Sequence, residues 1–362
     1  MNRREFLVVS ALPLLAGPHD IQTAKPVPHQ KLGLNSYCLR AMRWKDTQVL
    51  DYASGLKLDG VFLQDSTDPD TNSIEHWHQV GAYAKTLGLH IETGVGAVLP
   101  KDPTQIDAMR QQLLLGVARA QAVGSPVVRC LHAADRAHLP SGSIDQHRET
   151  MVKLLKSVRS EVMGAGLKLA IENHKDLQAW EMRKVIEAAG TEFVGSYLDT
   201  GNPVFVVEDP LTTLEILGPY AVCVHLRDSV VYDSPGGAMV QWVPLGEGVV
   251  DFKTLVQRLR QIKPDVYVYV KPITGRPPAL LPYYNPEFWN DYPKARAAEF
   301  AQFLALAHKG RPYEKDVVIE DLPGRATPEA FIPAVQYQQR DHMERSVAYA
   351  KNTLDLGERW RS

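Results

Sequence analysis

The sequence predicts an α/β barrel in which eight parallel strands alternate with helices. From residue 31 onward, short apolar runs alternate with longer amphipathic stretches, which is the pattern of repeated strand–helix units. The runs follow one another at intervals that mostly fit the roughly 30 residues of one such unit. Several runs also end abruptly in polar residues, as expected where the carboxyl ends of parallel strands form the mouth of a barrel.

The eight candidate strands share an apolar body and a polar or aromatic end. In chain order they are 31–37, 59–65, 89–95, 126–131, 167–172, 193–199, 221–226 and 265–271. Between and after them, amphipathic spacing predicts helices at 74–87, 104–123, 144–165, 177–189, 252–262 and 294–308. The barrel is therefore expected to occupy residues 31–309.

Two stretches within the barrel do not fit the strand–helix period. Residues 227–250 are expected to form a long loop over the strand mouths, either functional or a plain surface excursion. The proline- and aromatic-rich stretch that follows the eighth strand should also pack near the mouth. Residues 310–362 form a C-terminal extension whose helix, predicted at 334–356, packs on the outside of the barrel or at a subunit contact.

The amino terminus, residues 1–30, is expected to be a signal and a linker. Arg3 and Arg4 precede a short apolar run, which resembles a twin-arginine export signal and predicts an exported, periplasmic protein. The alternative is a frayed tail on a cytoplasmic protein. Because Pro13 interrupts the run and a spanning helix needs about 20 apolar residues, no stable membrane insertion is expected after processing.

Composition restricts the class of partner. The chain has 362 residues, with 40 Lys and Arg against 42 Asp and Glu, for a formal net charge of -2. No strong field therefore favours nucleic acid or an anionic membrane, and the expected partner is a small molecule. The three cysteines are an odd number in apolar surroundings, so we interpret them as buried small hydrophobes rather than disulfide or redox groups.

Three strand ends carry residues that can bind a metal ion. Glu172, Asp199 and His225 end consecutive strands and should lie side by side. Two carboxylates and an imidazole suit one divalent ion, such as Mn, Mg, Co or Zn. The alternative is that each residue merely caps its strand or the next helix.

Four motifs give the chain a family resemblance. IENH at 171–174, DTGNP at 199–203, VHLRD at 224–228 and PLGEGVVD at 244–251 resemble successive strand ends of the xylose isomerase-like TIM barrels, also called sugar phosphate isomerase/epimerases. The resemblance covers residues 31–308. It implies a TIM barrel, often a homo-oligomer, that isomerises, epimerises or eliminates by removing a proton next to a carbonyl of a sugar or keto-sugar. It also implies that Glu172 is a metal ligand and general base, and that Asp199 and His225 are ligands.

The eighth strand departs from the family pattern. It offers Lys271 where the resemblance implies a second glutamate ligand, and a protonated amine cannot bind a cation. Lys271 could replace the metal by pairing with Glu172 or Asp199 and stabilising an enolate. It could instead transfer protons or form a Schiff base, or it could point to solvent if the strand register differs.

Further polar residues could bind substrate or act in proton transfer. His174 could be a proton shuttle or a structural histidine. The expected substrate-binding residues are Asn35, Glu92, His132, Asn202, Arg227, Asp228 and Arg276.

Two other function classes remain open at this stage. An abasic-site endonuclease shares the fold but uses three zinc ions, which require more histidines at the strand ends, and it also needs a basic surface. Neither the additional histidines nor a basic surface is visible in the sequence. The other class is a sugar-binding barrel without catalysis, or without metal, in which Lys271 replaces the fourth ligand.

Overall fold

A closed barrel of eight parallel strands forms the centre of the protein, as predicted. The structure, a computed structural model, describes residues 29–64 and 66–362. Every neighbouring pair of barrel strands is parallel, and the first strand closes the barrel by pairing with the last. The export signal predicted from Arg3 and Arg4 lies outside the described residues and stays a prediction.

The eight barrel strands lie where the apolar runs predicted them, and three further strands form a separate sheet that was not predicted. The strands are β1 Leu32–Asn35, β2 Gly60–Leu63, β3 His90–Ala97, β4 Val127–Leu131, β5 Lys168–Glu172, β6 Val194–Asp199, β7 Ala221–Leu226, β8 Asp228–Ser234, β9 Gly237–Val243, β10 Val268–Val270 and β11 Ala279–Leu281. The barrel order is β1-β10-β7-β6-β5-β4-β3-β2, and β8, β9 and β11 form the separate sheet. The eighth barrel strand is therefore β10, and Lys271 follows it directly.

Helices cover the outside of the barrel. They are α1 Asp46–Gly55, α2 Ile74–Thr86, α3 Ile106–Val123, α4 Ile144–Lys156, α5 Arg159–Gly164, α6 Ala179–Ala189, α7 Pro210–Leu217, α8 Phe252–Ile262, α9 Ala297–Lys309 and α10 Ile332–Asn352. The helix predicted at 144–165 is in fact two. The Ser157 hydroxyl donates to the Leu154 carbonyl, and Val158 leaves the helical conformation at φ -115° and ψ 9°. The helix is therefore interrupted between α4 and α5.

The loop predicted at 227–250 is wrong in its secondary structure. Strands β8 and β9 form an antiparallel hairpin, and β11 adds a third strand beside β9. The signal was present in the sequence, since two β-branched runs flank a two-residue Pro235–Gly236 turn, and Gly237 has a φ of 148° that suits glycine. Gln241 and Trp242 of this hairpin line the main cavity, so the expected position over the strand mouths is confirmed.

The C-terminal extension packs on the barrel and shares its core. Met343 and Val347 of α10 belong to the same buried apolar cluster as the barrel strands. The helix is also tied by hydrogen bonds, from the Leu245 N–H to the Ser346 hydroxyl at 3.1 Å and from the Ala41 N–H to the Gln339 side chain at 2.9 Å. The three cysteines are free and buried, as predicted. Among the described residues, no helix has the length and apolar character needed to cross a membrane.

Because α10 closes part of the core, its inward face should matter for stability. Met343 is fully buried, so Met343→Ala should lower the free energy of unfolding by about 2–5 kcal/mol through lost burial and a cavity. Tyr337→Ala is the matched control on the exposed face of the same helix, where Tyr337 is 63% exposed, and should change it by less than about 0.5 kcal/mol. Urea unfolding of the two variants measures the difference, and equal effects would contradict the packing role of α10.

Candidate active site

The three predicted metal ligands come together beneath the barrel mouth. Glu172 ends β5, Asp199 ends β6, and His225 lies opposite Asp199 on the neighbouring strand β7. All three side chains are 0% exposed. One donor atom from each lies within 4.8 Å of the others, so the spacing of the donor atoms taken alone would suit a metal ion.

Lys271 lies among these donors. Its Nζ donates to Glu172 Oε1 at 2.6 Å and to Asp199 Oδ2 at 3.3 Å. The side chain is buried, so the alternative in which Lys271 points to solvent is wrong. Burial and the nearby Arg227 lower the pKa of Lys271, while the two carboxylates act in the opposite direction.

Two arginines complete the ion-pair network. Arg129 Nε lies 2.7 Å from Glu172 Oε2, and Arg227 Nε lies 3.2 Å from Asp199 Oδ2. Burial alone would raise the pKa of Glu172, but Arg129 and Lys271 hold it well below its usual range. Both oxygens of Glu172 are thus paired with cations.

Amide side chains fix the orientation of this network. The Asn35 amide donates to His225 Nε2 at 3.1 Å, which leaves the ring proton on Nδ1, 3.4 Å from Glu172. Asn202 accepts from Arg227 Nη1 at 3.1 Å and donates to the Asn173 carbonyl at 3.0 Å. Burial and Lys271 hold the pKa of His225 well below its usual value, so the ring is neutral.

A cavity of about 540 Å³ opens above the network. Small-molecule sites typically enclose about 300–1,000 Å³. Its lining includes Arg129, Arg227 and Lys271 at the floor, with Trp242 and Phe205 on one wall. The Arg227 guanidinium lies 4.2 Å from the centre of the Trp242 ring, so this wall is held by a cation–π contact.

His174 also lines the cavity. Its Nδ1 lies 2.5 Å from the Ala134 carbonyl oxygen, so Nδ1–H donates and Nε2 keeps its lone pair. Burial lowers the pKa of His174 to about 4. The ring is therefore a neutral imidazole with one acceptor nitrogen.

The expected substrate-binding residues divide into three groups. Arg227 and Arg276 line the cavity. Asn35 and Asn202 are fully buried and bond to the network described above. Their roles in binding stay predictions, because the structure shows only where they lie.

Three other expected substrate-binding residues do not line the cavity. Glu92 was expected at a strand end, but β3 continues to Ala97, so Glu92 lies deeper in the barrel, beside Phe62 in register. His132 faces Asp176, with Nδ1 3.1 Å from the carboxylate.

Asp228 is the third of these residues. Its carboxylate accepts from the backbone N–H groups of Gly246, Gly248 and Val250. The geometry therefore gives Asp228 a role in holding that loop.

Sequence reasoning missed several residues that line the cavity, among them Phe205, Asp135, Lys175 and Gln241. Lys175 follows the IENH motif directly and could have been found from that adjacency. Gln241 lies in the hairpin that was predicted as a loop, so its direction could not be inferred.

The charges around Glu172, Asp199 and His225 do not fit a divalent ion in this arrangement. Three cations, Arg129, Arg227 and Lys271, already pair with the two carboxylates. The Lys271 ammonium also uses the carboxylate oxygens that would bind the ion, and like charges repel strongly in a buried site. The structure thus brings the three predicted metal ligands together. The ion itself stays a prediction, and the positive charges around the ligands oppose its binding.

Comparison with known proteins identifies the family. Residues 50–281 match the family described as Xylose isomerase-like TIM barrel. The chain belongs to this family. The resemblance inferred from the strand-end motifs is confirmed.

Two curated relatives of this family member are detectable by sequence. The chain is 28% identical over 228 residues to the uncharacterized protein YihM of Escherichia coli, covering 61% of this chain and 64% of that protein. It is 25% identical over 115 residues to 3-oxo-isoapionate decarboxylase of Pectobacterium atrosepticum, covering 31% and 42%. The matched region therefore spans less than two thirds of either relative.

Solved structures share the xylose isomerase-like fold at low identity. D-psicose 3-epimerase, solved in the presence of D-fructose, has a TM-score of 0.59 and 15% identity, covering 90% of this chain and 99% of that one. The 3-keto-D-glucoside 4-epimerase YcjR of E. coli has a TM-score of 0.54 and 16% identity, covering 73% and 98%. A family member from Mycobacterium smegmatis, solved in complex with magnesium, has a TM-score of 0.52 and 15% identity, covering 67% and 90%.

Charge reversal at Lys271 tests whether its ammonium group prevents a metal ion from binding. Lys271→Glu removes the ammonium and adds a third carboxylate to Glu172, Asp199 and His225, which is a donor set that suits a divalent ion. Mn²⁺ should bind this variant at least about tenfold more tightly than it binds the wild type, because the new carboxylate attracts the ion where the Lys271 ammonium repels it. Isothermal titration calorimetry of the metal-stripped proteins measures the affinities.

Lys271→Gln is the control for this comparison, because it removes the charge without adding a ligand carboxylate. It should bind Mn²⁺ more weakly than Lys271→Glu. Tight stoichiometric Mn²⁺ binding by the wild type would contradict the argument.

Proposed function

We propose that this protein is a sugar-modifying enzyme, an isomerase or epimerase or a related lyase, that removes a proton next to a carbonyl of a sugar or keto-sugar. The observation that carries the proposal is the Lys271 ammonium, held by Glu172 and Asp199 at the floor of the cavity. A fixed cation at such a place stabilises the negative charge that develops on the carbonyl oxygen when the neighbouring proton leaves.

The residues divide the chemical work by their positions. Lys271 faces the cavity and stabilises the enolate. His174 Nε2, whose lone pair is free of the Ala134 contact, accepts the proton and can return it on the same face of the enolate to the adjacent carbon, which isomerises the sugar. Epimerisation additionally requires that a proton reach the opposite face. Glu172 was predicted as the general base, but both of its oxygens are ion-paired. In this proposal Glu172 holds Lys271 in place.

Relatives support a sugar substrate. The structures of similar fold include proteins named as D-psicose 3-epimerase and 3-keto-D-glucoside 4-epimerase. A curated relative is named as a decarboxylase of an oxo acid. Decarboxylation also leaves negative charge beside a carbonyl, so the same ammonium could serve a lyase.

This proposal uses Lys271 in place of the metal ion that the family resemblance implies. A divalent ion at Glu172, Asp199 and His225 would supply the same electrophilic assistance, and the calorimetry above separates the two arrangements. We further propose that the enzyme is exported to the periplasm and does not bind nucleic acid, on the sequence of residues 1–30 and the charge composition. A homo-oligomeric state remains an expectation from the family resemblance.

Exchange of substrate hydrogen with solvent tests the reaction class without knowledge of the product. Wild-type enzyme in D₂O should introduce deuterium next to the carbonyl of keto-sugars from a panel that includes D-fructose and D-psicose. Lys271→Met should reduce this exchange by about 100- to 1,000-fold, since it removes the charge that stabilises the enolate. Lys153→Met, which alters an exposed lysine on α4, should leave the exchange rate unchanged. Proton NMR measures the rate.

Removing Lys271 alone leaves two buried carboxylates less well compensated and could unfold the protein. The double variant Lys271→Met with Glu172→Gln removes the ion pair as a unit, and circular dichroism checks its fold. A folded double variant that exchanges hydrogen at the wild-type rate would refute the role of Lys271. Absence of exchange in the wild type with every keto-sugar would favour the non-catalytic binding barrel.

The proton-accepting role of His174 makes a separate prediction. His174→Gln should slow deuterium exchange by about 100- to 10,000-fold, because a general base is lost. Sugar affinity should change much less than the rate, since glutamine retains polar atoms at that place. Calorimetry measures the sugar affinity, and NMR measures the exchange rate. A loss of affinity as large as the loss of rate would contradict the role of His174 as the general base.

A further inference from the structure

We propose that the substrate carries a carboxylate group, so that the enzyme acts on a sugar acid or an oxo acid derived from one. This inference rests on the proposed function and names its substrate class. Five cations and three carboxylates line the cavity or pair at its floor among the described residues: Arg129, Lys175, Arg227, Lys271 and Arg276 against Asp135, Glu172 and Asp199.

Part of the excess positive charge lies at the floor of the cavity. Glu172 and Asp199 pair with Arg129, Arg227 and Lys271. That leaves the floor with more cations than carboxylates.

Lys175 and Arg276 add two further charges at the wall. Lys175 lies 5.4 Å from the Trp242 ring and 5.8 Å from the Phe205 ring. Arg276 donates to the Tyr37 hydroxyl at 3.3 Å. These contacts are with neutral groups, so they do not compensate the charges.

Two guanidinium groups present buried N–H groups without a protein partner. Arg227 is 0% exposed, and its Nη2 has no hydrogen-bond acceptor among the described residues. Nη1 of Arg276 is likewise buried without an acceptor in that part of the chain. A buried donor left unpaired is costly, and both residues line the same cavity. Guanidinium N–H groups match the geometry of a carboxylate.

Nearby carboxylates are already engaged elsewhere. Asp321, which influences Arg276 at a distance, is paired with Arg40 at 2.6 Å and accepts from Gln339 at 2.7 Å. Asp135 accepts from His138 at 2.6 Å. Burial lowers the pKa of Lys175 and Asp135 acts in the opposite direction, so Asp135 offsets part of the Lys175 charge. The Arg276 guanidinium is left for a ligand.

The loop geometry favours a carboxylate over a phosphate. Phosphate sites in barrels of this type are frequently formed by the loops that follow the seventh and eighth strands. Here the N–H groups of Gly246, Gly248 and Val250, in the loop between the seventh barrel strand and α8, all donate to Asp228. An internal carboxylate thus occupies the backbone donors that a phosphate would need.

Matched ligands that differ only at one carbon test the inference. Calorimetry on the full chain would compare D-glucuronate, D-glucose and D-glucose 6-phosphate, and then the same three derivatives of galactose. In at least one of the two sets, the affinity for the uronate should exceed the affinity for the hexose by about tenfold or more, and it should also exceed the affinity for the sugar phosphate. Added NaCl should weaken uronate binding more than hexose binding.

Variants locate the effect at the cavity wall. Arg276→Gln should reduce the ratio of uronate to hexose affinity by about tenfold. Arg183→Gln, which alters an exposed arginine on α6, should leave that ratio unchanged. Equal binding of uronate and hexose in both sets would overturn the inference, as would tighter binding of the phosphate.

The outcome is distinguishable from failure of the proposed reaction. If a neutral keto-sugar exchanges deuterium and the protein shows no preference for sugar acids, the proposed carboxylate substrate is refuted and the proposed reaction class is supported. A preference for uronates with no exchange in any keto-sugar or keto acid would support the carboxylate and refute the reaction class.

Discussion

The contact between Lys271 and Glu172 is the interaction on which the site depends. The two groups approach within 2.6 Å although both are buried, and removing one partner of such a pair typically costs about 3–5 kcal/mol. Their strands are far apart in sequence but share the barrel mouth, with the strands of Asp199 and His225 between them. The barrel geometry thus sets the distance, and the ion pair in turn fixes the end of the short strand β10.

Around that pair, several polar groups have partners that limit their chemistry. Arg129 takes the second oxygen of Glu172, and Asn35 sets the tautomer of His225. As a consequence, Glu172 and His225 face one another and the cations around them. Lys271 and His174, in contrast, line the cavity. The catalytic roles proposed for Lys271 and His174 therefore rest on their position at the cavity, whereas Glu172 is held in the ion-pair network.

Much of the fold followed from the sequence because the barrel strands are continuous apolar runs between amphipathic helices. The grouping of Glu172, Asp199 and His225 followed too, since parallel strands align their carboxyl ends. The position of Glu92 did not, because the polar residues inside β3 resemble a strand end although the strand continues to Ala97. The hairpin was missed because its Pro235–Gly236 turn was interpreted as part of a loop. Neither the pairing of Arg129 nor the direction of Arg227 is encoded by local periodicity, because both depend on contacts between distant strands.

The cationic character of the cavity has a consequence for stability. Buried like charges destabilise a fold, and Arg227, Lys271 and Arg276 lie around one opening with fewer carboxylates than cations. Such strain persists at functional sites where a ligand relieves it. An anionic ligand that pairs with the unsatisfied N–H groups of Arg227 and Arg276 would bind the folded state and stabilise it. The same charges would then position the proposed substrate with its carbonyl above Lys271.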